Sequence, residues 1–196
     1  MEFWFSIGST YSYLSVMRLA NVAAQTGISF RWQPFNVRTL MREMDNIPFA
    51  NKPTKAAYMW RDIARRAEMY GLQPTLPAPY PLKQLELANR VAIVAMNEGW
   101  LERYGPATYR RWFEHGEPAG SEPNLTRSIT ECGEDAVRVV EAANDSTAHS
   151  ALEMATDKAR QLGIFGSPTF VVGQELFWGD DRLDDAIRWR ERSGLR

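Results

Sequence analysis

The stretch Phe3-Trp4-Phe5-Ser6-Ile7-Gly8-Ser9-Thr10-Tyr11-Ser12-Tyr13-Leu14-Ser15-Val16-Met17 decides the fold. Four β-formers, Phe3, Trp4, Phe5 and Ile7, run up to Gly8, and small hydroxyl residues follow. Tyr13, Leu14, Met17 and then Leu19 to Ala20 recur at helical spacing. The pattern predicts a buried strand, a tight turn, and a helix capped by Ser9 or Thr10. Free N–H groups and the helix dipole make such a turn attractive to an anion. Taken alone, Ser9 reads first as a plain cap, so the rest of the chain has to decide.

Working outward, Gly27 ends the helical pattern, and Ile28, Phe30 and Trp32 alternate with polar neighbours up to Gln33, a half-buried strand closed by Pro34. Strand, helix and strand within about thirty residues make a βαβ unit whose right-handed crossover sets the strands parallel. From Asn36 to Gly163 the signal is helical: Arg38 to Met44, a helix capped by Thr54 and running to Tyr70, Leu82 to Glu98, and Leu101 or Pro106 to Phe113. Leu125 to Ile129, Gly133 to Asn144 and Ser146 to Leu162 complete the series. Four prolines between Leu72 and Pro81 forbid helix there and predict an extended loop able to carry Tyr80 to a site. Strand signals return at Ser167 to Val172 and Glu175 to Trp178, joined by a Gly173-Gln174 turn, and a last helix opens at Asp180 and runs to Ser193. The fold class is therefore α/β: a mixed sheet in the order βαβ…ββα, formed by residues 1–35 with 164–196, and split by an all-helical insertion over 36–163.

The 196 residues, 44% hydrophobic and 12% aromatic, suffice for one core. A net charge of −1 with no basic tract argues against a nucleic-acid partner. No apolar run approaches the roughly 18 residues that span a bilayer, and the start of the chain enters a strand directly, unlike a secretory signal. Cys132 is the single cysteine, so no intrachain disulfide or thiolate cluster can form, and His115 and His149 lack ligand spacing. No metal is expected, and a reducing, cytoplasmic compartment is.

A βαβ unit followed by Gly-Ser-Pro before a ββα unit looks like the thioredoxin fold, with Ser9-Thr10-Tyr11-Ser12 where that fold carries Cys-x-x-Cys and Pro168 at its cis-proline. The likeness extends further. Ser9-x-x-Ser12-Tyr-Leu, Trp32-x-Pro-Phe35, Asn51-Lys-Pro53, Lys55-x-x-Tyr-Met59, Asp62, Arg66, Tyr70-Gly71, Gly163-Ile-Phe-Gly-Ser-Pro-Thr-Phe170 and Phe177-Trp-Gly-Asp-Asp-Arg-Leu183 resemble the 2-hydroxychromene-2-carboxylate isomerase family. That family is related to kappa-class glutathione transferases and DsbA-type oxidoreductases. Ser6-Ile7, Thr10 and Asp180 depart from its usual Asp-Phe, proline and asparagine.

The resemblance implies glutathione as cofactor, a small aromatic carboxylate as substrate, and a homodimer. By it, Ser9 is the catalytic residue, and Ser9, Ser167, Pro168, Trp178, Gly179, Asp180 and Asp181 bind glutathione, with the Ser167 backbone pairing its cysteinyl part. Asn51, Lys52 and Tyr80 contact substrate. The acidic pair Asp180-Asp181 holds the γ-glutamyl ammonium, caps the last helix, or does both. A serine hydroxyl without a base is a poor nucleophile, but at a helix start it can donate a hydrogen bond to a bound thiolate and lower the thiol pKa. The implied reaction interconverts 2-hydroxychromene-2-carboxylate and trans-o-hydroxybenzylidenepyruvate. A kappa-like transferase and a non-catalytic glutathione- or peptide-binding module are the alternatives. The sequence assigns no role to Ser12 or Cys132.

Overall fold

In a computed structural model of the chain, which describes residues 1–47, 49 and 52–194, the opening stretch is strand β1 (Glu2–Phe5), a turn, and helix α1 (Thr10–Thr26). Ser9 is the α1 cap, its side chain accepting from the Ser12 N–H, and Gly27, left-handed at φ 69°, ends the helix. Strand β2 (Arg31–Pro34) follows. Seven helices come next: α2 (Val37–Glu43), α3 (Pro53–Met69), α4 (Leu85–Glu98), α5 (Leu101–Glu114), α6 (Asn124–Glu131), α7 (Ala136–Asn144) and α8 (Ser146–Gln161). Strands β3 (Thr169–Val172) and β4 (Glu175–Trp178), a 3₁₀ turn at Asp180–Arg182, and helix α9 (Leu183–Arg192) complete the chain.

The sheet order is β2-β1-β3-β4. β1 and β2 are parallel in the register Phe3↔Trp32, and β3 runs antiparallel to both β1 and β4. This is the thioredoxin-like arrangement with the helical insertion between β2 and β3.

Alternation along β1 assigns its two faces. Phe3 and Phe5 join Phe170, Val172 and Trp32 in the larger core, which continues through Tyr13 and Leu14 of α1, Val91 and Ala92 of α4, Tyr109 and Phe113 of α5, and Ala186 of α9. Trp4 and Val171 face the other way onto Phe35, Val37, Leu40, Ala159 and Ile164, so α2 and α8 cover that side. Each fully buried aromatic or aliphatic side chain contributes about 1.5–3 kcal/mol. The larger core crosses from the sheet into the insertion without a break.

Several element ends differ from the sequence pattern, for local reasons. β1 stops at Phe5 rather than Ile7 because the backbone turns to side-chain partners: Ser6 N–H donates to Ser167 Oγ (2.8 Å) and Ile7 N–H to Asn89 Oδ1 (2.9 Å). α3 starts with Pro53 in its first turn, so Lys52, not Thr54, stands at the cap; proline suits a position whose N–H has no helical partner. α4 begins at Leu85, three residues later than its apolar pattern, because Leu82 still belongs to the proline loop while being buried. α5 runs from Leu101 straight through Pro106. The last helix divides, with Asp180 and Asp181 in the 3₁₀ turn and α9 opening at Leu183.

Candidate active site

The sheet brings the turn after β1 against the turn before β3. The Ser167–Pro168 bond is cis, and Ser9 Oγ donates to the Ser167 carbonyl at 2.6 Å while lying 3.4 Å from the Ser12 N–H it accepts. Ser9 is half-buried, whereas Ser12 is fully buried. Ser12 Oγ lies 2.8 Å from Ser167 Oγ, which also accepts from the Ser6 N–H. The second serine thus ties the helix start to the proline turn, and the first keeps an accessible hydroxyl. The first-turn N–H groups of Thr10 and Tyr11 have no intrahelical acceptor and add to the positive end of α1.

Two buried side chains hold this turn from below. Tyr109 donates to the Ser6 and Ser9 carbonyls at 3.0 and 3.2 Å. Burial pushes its pKa far above the usual phenol range, so the hydroxyl keeps its proton. Asn89 pairs with both backbone groups of Ile7, accepting from the N–H and donating to the carbonyl at 2.8 Å, with a further bond to the Leu85 carbonyl. The Leu85 side chain lies where a Cβ on Gly8 would stand, and Gly8 has φ 127°, so a side chain there is barred twice.

The Trp178-to-Asp181 segment follows directly. Gly179 N–H donates to the Pro168 carbonyl at 2.9 Å. Trp178, 53% exposed, rests its indole over Gly166 and meets Phe165 edge-on, with ring centroids 4.8 Å apart. The acidic pair separates. Asp180 has a fully buried carboxylate bonded on both oxygens: Ser15 (3.0 Å) and Arg18 (3.5 Å) on Oδ1, Arg66 (2.9 Å) and Tyr70 (3.1 Å) on Oδ2. Arg18 in turn stacks over the Tyr70 ring at 3.8 Å. Burial, with the Asp180 charge beside it, raises the Tyr70 pKa, so that hydroxyl also remains a donor. Asp181 is exposed and pairs with its neighbour Arg182 at 3.0 Å. Asp180 therefore latches the segment onto α1 and α3, and Asp181 is the member that solvent reaches.

The residues expected to contact substrate lie on the α2–α3 side. Asn51 is outside the described residues. Lys52 is exposed at the start of α3. Tyr80 is half-buried, edge-on to Phe49 and to Trp60 at 6.1 Å each, and Trp60 in turn contacts Phe113 at 6.4 Å. Thr10 Oγ1 donates to Met59 Sδ at 3.1 Å, so α3 sits on the start of α1, and Phe113 at the end of this aromatic row stacks on Tyr13 of α1 at 4.1 Å. Cys132 is buried at the end of α6, its thiol pushed up to about 11 by burial.

Sequence reasoning assigned no part to Tyr109, Asn89, Arg18 or Ser15. One signal for them was present: Asn89 falls on the apolar face formed by Leu85, Ala88, Val91 and Ala92, where a polar side chain needs a partner. Arg66 and Tyr70 stand one helical turn apart on α3, and their hydrogen bond at 2.8 Å follows from that spacing.

Comparison with known proteins places the chain. The DSBA-like thioredoxin domain family matches residues 1–187. A protein of Sphingobium xenophagum named 2-hydroxychromene-2-carboxylate isomerase is 27% identical over 186 residues, covering 94% of each chain. Glutathione S-transferase kappa 1 of Caenorhabditis elegans is 24% identical, covering 93% of this chain and 87% of its own. Among solved structures, a 2-hydroxychromene-2-carboxylate isomerase superposes with a TM-score of 0.85 at 23% identity, over 100% of this chain and 98% of that one. That likeness is one of fold.

Proposed function

We propose that this chain, which belongs to the DSBA-like thioredoxin domain family, is a glutathione-dependent isomerase of aromatic-degradation intermediates. Its reaction would interconvert 2-hydroxychromene-2-carboxylate and trans-o-hydroxybenzylidenepyruvate. The observation that carries this reading is the Ser9 hydroxyl, capping a helix and facing the cis Ser167–Pro168 turn, in a chain whose single cysteine is far off in the helical block. The relatives named isomerase and glutathione transferase support an enzyme of this group.

The donor set fits the tripeptide thiol. The Ser9 hydroxyl and the positive end of α1 meet at one point and suit an anionic sulfur, and Asp181 presents an exposed carboxylate suited to an ammonium. Glutathione, when bound, supplies a thiolate able to add reversibly to a conjugated carbon, so that a double bond becomes free to rotate. Ser9 donates to that sulfur and holds it deprotonated, giving up its bond to the Ser167 carbonyl. The Ser167 backbone, released on that side, aligns the cysteinyl part in strand fashion. Trp178, Gly179 and Asp181 hold the remainder, on a segment that Asp180 anchors. Tyr109 and Asn89 keep the turn rigid. Tyr80 and Lys52 serve the substrate side.

Free-thiol titration during turnover of trans-o-hydroxybenzylidenepyruvate tests the reading. An isomerase leaves total thiol unchanged and, at about pH 6.5, loses activity in Ser9→Ala in step with its thiolate fraction. Steady depletion of thiol would instead support a kappa-like transferase, which the kappa relative makes the second reading. Absence of both turnover and calorimetric glutathione binding would sink both.

A further inference from the structure

Among the described residues Arg38 belongs to no ion pair, as is true of Arg42 and Arg61, whereas Arg18, Arg31, Arg65 and Arg66 all hold carboxylates. Its backbone is tightly placed. Asn36 caps α2 by accepting from the Arg38 and Thr39 N–H groups (3.1 and 3.4 Å), and its own N–H donates to Thr156 Oγ1 at 3.0 Å. The Val37 N–H points at Ser6 Oγ at 3.4 Å, and the Ser6 carbonyl accepts from the Ser9 N–H at 3.0 Å. The first turn of α2 is therefore fastened to the Ser9 turn.

Arg38 is half-buried, and among the described residues its guanidinium makes one bond, donating to the Leu82 carbonyl at 3.3 Å. Leu82 opens the segment whose Leu85 covers Gly8. Next to it stands Tyr80, whose phenol burial drives upward in pKa while the charge of Arg38 opposes that push. The Phe49–Tyr80–Trp60 row continues from there toward Phe113.

We propose that Arg38 receives the carboxylate of the acid substrate, with the aromatic row of Phe49, Tyr80 and Trp60 bearing its conjugated ring, which makes Arg38 a specificity-determining residue. This rests on the reading of the site as one that acts on an aromatic carboxylate. A guanidinium with a single neutral partner has donors left for a two-pronged carboxylate contact. Half-burial reduces solvent screening relative to the exposed Lys52, so Arg38 supplies the discriminating charge and Lys52 a surface one.

The test measures binding without glutathione. trans-o-Hydroxybenzylidenepyruvate and its methyl ester are titrated by calorimetry into the wild-type chain, Arg38→Ala, Arg38→Gln and Arg38→Lys, and glutathione is titrated separately. The wild type is expected to prefer acid over ester by about 10- to 100-fold, the worth of charged hydrogen bonds. That preference should vanish in Arg38→Gln, which keeps a donor for Leu82, and in Arg38→Ala, and survive in part in Arg38→Lys. Glutathione affinity should not change. Acid binding in Arg38→Gln within threefold of wild type overturns the assignment and leaves the glutathione reading intact; so does a wild type that does not distinguish acid from ester. Lost acid preference in a chain that never binds glutathione upholds Arg38 and overturns the cofactor reading instead.

Discussion

Ser9→Ala gives the most direct test of how this site treats a sulfur. In the resting chain the Ser9 hydrogen is engaged with the Ser167 carbonyl at 2.6 Å. To serve a thiolate it must exchange a neutral bond, worth about 0.5–1.5 kcal/mol, for a charge-assisted one of about 1.5–3 kcal/mol. The net gain is about 1.4 kcal/mol, or roughly one pKa unit at about 1.36 kcal/mol per unit. The α1 dipole contributes a further shift of similar size and survives the substitution. From a free thiol near 8.5, bound glutathione should titrate at about 6.5 in the wild type and about 7.5 in Ser9→Ala. At pH 6.5 the thiolate fraction then falls from about half to about a tenth.

The ultraviolet absorbance of the thiolate, followed against pH with protein in excess, reads both midpoints. The sign is also visible in affinity. Because the bound pKa lies below the free one, binding is flat below the bound pKa, strengthens tenfold per pH unit up to about 8.5, and levels off above it. Wild type and variant should bind alike below about pH 6 and differ about tenfold above pH 8.5. Ser9→Ala also removes a helix cap worth about 1 kcal/mol of stability, whereas Ser9→Gly costs only a few tenths and should show the same thiol shift. A wild-type midpoint no lower than the free thiol, or a variant midpoint within about 0.3 unit of wild type, refutes the argument.

Three further outcomes follow from the same geometry. Asp180→Ala leaves Arg18 and Arg66 partly buried without their shared carboxylate and should lower unfolding stability by about 3 kcal/mol in a urea titration; a change under about 0.5 kcal/mol would mean that the latch is immaterial. Gly166→Ala puts a Cβ into the space of the Trp178 indole, and an exposed ring can swing away; glutathione affinity is expected to drop about tenfold with little change in melting temperature, and an unchanged affinity would remove Trp178 from the ligand site. Cys132, with its thiol pushed up to about 11, should resist an aromatic disulfide reagent at pH 8 in the folded chain and react fully in denaturant, so prompt reaction in the native state would contradict its burial.

What the sequence disclosed was largely local or periodic. Gly27, the apolar spacing of α1 and the two separated strand pairs marked the fold, and Ser9 was legible as a cap because capping involves neighbours three residues apart. The partners of Asp180 were hidden for the opposite reason. An acidic pair at a helix start satisfies a local rule, while its true partners, Ser15, Arg18, Arg66 and Tyr70, lie more than a hundred residues away and meet it only when β4 is seated. Ser12 was likewise unassignable without Ser167, 155 positions on. Arg38 carried no mark at all, since an arginine near a helix start is ordinary until its lack of a carboxylate is visible.

The two serines divide a task that a cysteine pair would perform alone. With thiols in both places, the first sulfur could form a mixed disulfide with a disulfide ligand and the buried second sulfur could attack it, releasing the ligand as a thiol and leaving the pair oxidised. Here the buried Ser12 hydroxyl is used up against Ser167 Oγ, and the half-buried Ser9 hydroxyl is held by the Ser167 carbonyl. Neither oxygen can form or break a disulfide, and among the described residues no base stands beside Ser9 to make it a nucleophile. What the turn retains is its capacity to stabilise a negative charge brought from outside. A site with that capacity needs a means of holding the molecule that carries the charge and a separate means of orienting the acceptor. Asp180 anchors the segment proposed for the first of these, Trp178 to Asp181. Arg38, fastened through Val37 to Ser6, stands in the second.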